Sequence, residues 1–170
     1  MFNNHSIIHS LEENQHVFGA LLNGIHQDEY NFRPAPDKWS ILEIVCHLHD
    51  EEREDFRARV KLVLEDPSVP FPSIDPQAWV SERKYSEQYY IAATQNFLAE
   101  RKASIEWLRS LEAPKWDNAY IHPKVGPVSA KFLLCNWLAH DYLHLRQLNA
   151  NRYQYLLQTS GEKLDYAGNW

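Results

Sequence analysis

The chain has no apolar run approaching the roughly 20 residues that a membrane span needs, so no membrane partner is expected. It also lacks a basic cluster. Its 17 lysines and arginines stand against 23 aspartates and glutamates, a formal net charge of −6. Without a positive stripe there is no electrostatic footprint for nucleic acid. Two cysteines, Cys46 and Cys135, are too few for a disulfide framework in a chain this long, and both read as buried, inert thiols. The opening MFNNHSIIHS has no basic region leading into an apolar run, so no signal peptide is expected and the cytoplasm is the default location. Strict apolar–polar alternation, internal repeats and low-complexity tracts are missing too. At 170 residues, one domain spanning 1–170 is expected.

What is present begins with the placing of proline. The nine prolines fall in three clusters: Pro34 and Pro36; Pro67, Pro70, Pro72 and Pro76; Pro114, Pro123 and Pro127. Helices rarely run through proline, which lacks an amide donor and clashes with the preceding turn. Four proline-free segments remain, and each carries apolar residues at three-to-four spacing. They predict helices over about 4–27, 40–65, 86–111 and from 129 past 148. Ser40 with Glu43 three residues on is a capping-box pattern that opens the second. A short extra helix is expected within 75–84, and the tyrosine-rich tail after Asn151 reads as an aromatic flap packed on the rest. The fold class is therefore all-α, a four-helix bundle whose sites are built from inward-facing side chains.

Among nine histidines, His140 and His144 lie one turn apart on the fourth helix. At about 100° per residue they share a stripe with Leu133, Trp137 and Leu148 that should face the core. Two adjacent buried imidazoles each need a partner, and one metal ion serves both. His47, at the edge of the second helix's apolar stripe, can complete a three-nitrogen cap. Three protein ligands leave a coordination position open, as in catalytic zinc sites. Spacing alone admits zinc, nickel, iron or copper. Asp50, Glu51, Asp141 and Gln147 are the nearby groups positioned to orient the imidazoles. Lower on the second helix Glu52, Asp55 and Arg59 fall on its inward side, which fits either a splayed, solvated face or a wet cavity. His49, His5, His9 and His16 read as solvent-facing, and His122 as a loop residue able to cover the mouth of the site. Asp141 in HDYLH stands where the H-E-x-x-H peptidases carry their glutamate base, so no peptidase is expected.

Two stretches taken together carry a resemblance. PDKWSILEIVCHL, with Pro36, Lys38, Trp39, Ser40, Glu43, His47 and Leu48, precedes WLAHDYLHLRQL, with Trp137, His140, Asp141, His144, Gln147 and Leu148. In this order and at this separation they resemble the DinB-like, YfiT-type family of metalloenzymes, over nearly the whole chain. The resemblance implies an up-down-down-up four-helix bundle and one divalent ion, zinc or nickel first and iron next, held by His47, His140 and His144. It further implies a thiol-dependent S-transferase, in which the metal favours the thiolate of a small thiol that attacks an electrophile, or a hydrolase. A homodimer is implied by the same analogy. Two other readings stay open: a non-catalytic bundle stapled by its metal and binding a ligand or protein, and a bundle with three ordinary histidines.

Overall fold

Capping and chain breakers account for the element boundaries in the computed structural model, which describes residues 3–168. Helix α1 (Asn4–Leu22) starts where the Asn3 side chain accepts from the Ser6 amide. It ends five residues before position 27, because Gly24 takes a left-handed φ of 72° that continues no helix. A one-turn helix α2 (Gln27–Tyr30) follows. Helix α3 (Ile41–Asp50) opens with both hydrogen bonds of the expected capping box between Ser40 and Glu43, and Arg33 pairs with the same glutamate. It runs through a π-helical turn (Glu51–Phe56) into α4 (Arg57–Glu65), so 41–65 forms one rod. The expected short helix is α5 (Pro76–Glu82), capped by Asp75 with Pro76 in its first turn. A 3₁₀ turn (Tyr85–Glu87) precedes α6 (Tyr90–Ser110), which therefore starts four residues later than position 86.

Two expectations need correcting. An antiparallel hairpin of β1 (Ala119–His122) and β2 (Gly126–Ser129) sits where no strand was expected. Its strands are too short to show alternation, with Pro123 just past β1 and Pro127 inside β2; Gly126 supplies the left-handed φ of 80° that closes the turn. The chain after Asn151 is not a flap. With no proline or glycine before Gly161, α7 (Ala130–Ser160) simply continues, and Gly161 in left-handed conformation ends it. Tyr155 packs its ring on Phe32 from that helix, while Tyr166 stands fully exposed; Asn169 and Trp170 lie outside the described residues.

Helix α1 packs against α6 and α7, and the α3–α4 rod packs against the same pair. Two apolar clusters fill the interior. One holds Phe18, Leu22, Ile44, Leu48, Phe97 and Leu148; the other holds Leu11, Phe56, Val60, Ile105, Leu134 and Trp137. Each long helix places polar residues between its contributions to the two: Asn14 on α1, Glu52 on the rod, Arg101 on α6, Asp141 and His144 on α7, all buried. The bundle thus has a polar layer between two apolar cores. Among the described residues no helix is long and apolar enough to cross a membrane.

The π turn sets which side of the rod is buried. In an unbroken α-helix the side defined by Ile41, Val45 and Leu48 would go on to carry Asp55, Arg59 and Leu62. The wide turn inserts one residue. Phe56, Val60 and Val63 become the buried positions instead, and Asp55 and Arg59 move out to half-buried ones. Removing the capping hydroxyl at the head of this rod, Ser40→Ala, should lower unfolding free energy by about 1 kcal/mol in a denaturant titration. An unchanged midpoint would show that the cap does not hold the helix start.

Candidate metal centre

Three imidazoles meet beside the polar layer. His47 comes from α3, His140 and His144 from successive turns of α7. The Nε2 of His140 lies 3.3 Å from that of His47 and 3.0 Å from that of His144. Among the described residues these three form the group whose ligand atoms all lie within 4.8 Å of one another. Nitrogens at about 2.0–2.1 Å from a tetrahedral zinc stand about 3.3–3.4 Å apart, so the spacing suits such an ion. His47 and His144 are 6% and 8% exposed, and His140 somewhat more. Trp39 covers one side with its ring 4.8 Å from that of His47, and Phe56 lies 5.0 Å from His140 while stacking on Trp137.

The electrostatics also suit a cation. Burial, then the neighbouring imidazoles, pushes the pKa of His140 down to about 2. Burial and His144 take His47 to about 3, and burial takes His144 to about 4. All three rings are neutral at pH 7, so an ion arriving there displaces no proton from them. Neutral imidazoles each carry one lone-pair nitrogen, and three Nε2 lone pairs directed at one point would repel one another. A bound cation turns that repulsion into ligation.

Orientation of the rings differs from expectation. The Nδ1 atoms of His47 and His144 are buried without a hydrogen-bond partner. Of the four anticipated orienting groups only Gln147 reaches an imidazole, favouring the protonated form of His144. Asp50 instead accepts from Tyr85 Oη at 2.6 Å and pairs with Arg83 at 2.7 Å and Arg53 at 2.9 Å. Glu51 pairs with Asp55. Asp141 belongs to the polar layer. Three further readings change. His49 is half-buried beside Asp50 rather than on the surface, and Cys135 is half-buried, while Cys46 is buried with its thiol pushed up to about 12 by burial and by Asp50. His122 caps its own hairpin turn, its Nδ1 accepting from the Lys124 and Val125 amides. His5, His9 and His16 are exposed, as expected.

Arg101, unforeseen from the sequence, holds the layer beneath the imidazoles together. Its guanidinium is 1% exposed. Nε and Nη2 donate to the two Glu52 oxygens at 2.9 Å, and Nη1 and Nη2 donate to the two Asp141 oxygens at 2.7 Å. Nη1 also reaches the Leu11 carbonyl at 3.4 Å. Trp137 Nε1 donates to Glu52 and Asn14 Nδ2 to Asp141, both at 3.0 Å. Of the charges read on the inner side of the rod, Glu52 is taken up by this buried ion-pair network, while Asp55 and Arg59 are turned to half-buried positions and pair with each other at 2.8 Å. The sequence signal was a lone arginine on the stripe between Phe97 and Ile105.

One turn beyond His47, Glu51 is 5% exposed. Burial, then the Asp55 charge and its hydrogen bond, raises the carboxyl from 4.5 to about 8. A carboxyl so raised favours the folded state fully below its unfolded pKa and loses that contribution as pH climbs through the folded value. Glu51→Gln has no such loss. Its Tm relative to the parent, both chelator-treated, should therefore rise from pH 5 to pH 8; a difference flat with pH would contradict the raised carboxyl.

The family described as the DinB superfamily matches residues 10–148. The structure of YfiT from Bacillus subtilis, described as a probable metal-dependent hydrolase with an unusual four-helix bundle topology, aligns with a TM-score of 0.78. It is 16% identical, over 89% of this chain and 87% of that one, a likeness of fold. No curated protein sequence matches.

Proposed function

The chain belongs to the DinB superfamily, and from that premise we propose that it is a metal-dependent enzyme in which His47, His140 and His144 hold one divalent ion, zinc, nickel or iron. The observation that carries this reading is the convergence of three neutral imidazoles, two of them buried, with Nε2 contacts of 3.0 and 3.3 Å. A structural zinc site closes its coordination with four protein ligands. Here the group is three histidines, with no carboxylate or thiolate joining it among the described residues. That favours an open, reactive position over a structural staple.

When bound, such an ion supplies a nucleophile near neutral pH, by easing the loss of a proton from a thiol or water at its open position. The chain's own residues supply the setting. The neutral imidazoles leave the ion its full charge. Trp39 and Phe56 present ring faces beside the ligands, which limits water and suits an apolar reactant. Asp141 and Glu52 are fully engaged by Arg101 and are not free to act as general bases. The reaction we favour is attack of a small thiol on an electrophile. Hydrolysis is the second reading, favoured by the fold shared with a probable metal-dependent hydrolase.

Purified protein should carry about one divalent ion per chain by elemental analysis, and His144→Ala should lose it. The parent should conjugate a member of a thiol panel to 1-chloro-2,4-dinitrobenzene or hydrolyse p-nitrophenyl esters, and the variant should do neither. Metal-free parent protein, or turnover surviving in His144→Ala, would refute the assignment.

A further inference from the structure

We propose that Arg101 is a positioning residue for the metal site: by locking the rotation of the rod and of α7 at once, it sets the separation of His47 from His140 and His144. The inference rests on the metal reading above and concerns a residue that contacts neither the ion nor the imidazoles.

The geometry supplies the lock. A guanidinium offers five N–H donors in a fixed planar fork. Here all five are taken, two by Glu52, two by Asp141 and one by the Leu11 carbonyl. Each carboxylate is gripped through both of its oxygens, so neither helix can turn about its axis without breaking a charge-assisted pair in a dry interior. Asp141 is the residue after His140. Glu52 lies five residues after His47, on the inward side of the rod within the π turn, where its carboxylate meets Arg101 of α6. The two helices that bear the ligands are thus referred to one rigid plate on a third helix.

A side-chain atom about 5–6 Å from a helix axis sweeps about 2 Å for a 20° rotation of that helix, as long as a metal–nitrogen bond. Free rotation of that size would take His47 out of reach of an ion held by α7. Neither carboxylates nor backbone carbonyls aim the two buried rings: their Nδ1 atoms lack hydrogen-bond partners, and only Gln147 stands beside His144 and Trp39 beside His47. In many metal sites a hydrogen bond to the far ring nitrogen aims each ligand. In this bundle the aiming is transferred to the helices themselves. Trp137, which donates to Glu52, and Asn14, which donates to Asp141, complete the plate from α7 and α1.

The test is titration of chelator-treated protein with cobalt(II), following the visible ligand-field bands, alongside Tm of each apo-protein. Arg101→Lys keeps the charge but not the two forks, and should weaken cobalt binding about ten- to a hundredfold with altered bands. Trp137→Phe and Asn14→Leu remove one hydrogen bond each, with a change in side-chain volume that Tm registers; they should shift affinity in the same direction by less. Ile105→Val, in the apolar cluster, should lower Tm and leave affinity and bands unchanged. If Arg101→Lys does not fold, the Trp137 and Asn14 variants decide. Cobalt binding to the parent with affinity and bands unmoved in every layer variant overturns the positioning role and leaves the metal site standing. Failure of the parent itself to bind cobalt sinks the metal reading and this inference together.

Discussion

A guanidinium buried to 1% exposure is tolerable only if all its donors are met, and meeting five donors constrains everything around them. Glu52 must face inward from the rod, and Asp141 from α7, both at the height of Arg101. Glu52 sits in the π turn, after which Phe56, Val60 and Val63 take up the buried side. The same demand explains why the interior divides into two apolar clusters with a polar layer between. A buried ion pair is weak evidence of stability, because desolvating the charges offsets much of their attraction. Breaking one by removing a partner costs about 3–5 kcal/mol, which makes the layer intolerant of change and well suited to fixing one arrangement of helices.

On that arrangement stand the three imidazoles. Burial keeps them uncharged, and their close approach suits three lone pairs around a cation. DinB membership and the likeness to YfiT place the chain among four-helix bundles, one of them described as a probable metal-dependent hydrolase. The chemistry proposed for this chain comes from its own geometry: three neutral ligands, no fourth in the group among the described residues, and aromatic rings beside them.

Much of this was legible in the sequence. Proline clusters and the Ser40–Glu43 pattern fixed the long helices, because breakers and caps act locally. The i, i+4 pair His140 and His144 and the edge position of His47 were readable because helical periodicity reports direction. What escaped depended on longer-range facts. The π turn inserts a residue that no local pattern announces, so the register read for Asp55 and Arg59 slipped by one. Arg101 is held inside by two carboxylates from other helices, a meeting that no local pattern announces. Asp50, Glu51 and Asp141 neighbour the three histidines by helical position, yet each is drawn to another partner, Tyr85, Asp55 and Arg101 respectively. The hairpin escaped because four-residue strands carry too little pattern, and the long α7 because only Gly161 stops it.

The most direct measurement is X-ray absorption at the zinc, nickel and iron edges of the protein as isolated. The account predicts one metal edge whose fine structure shows three nitrogen neighbours with imidazole scattering at about 2.0–2.1 Å and one further light atom or sulfur not provided by the three histidines. No edge above background, or a shell lacking imidazole scattering, would contradict it.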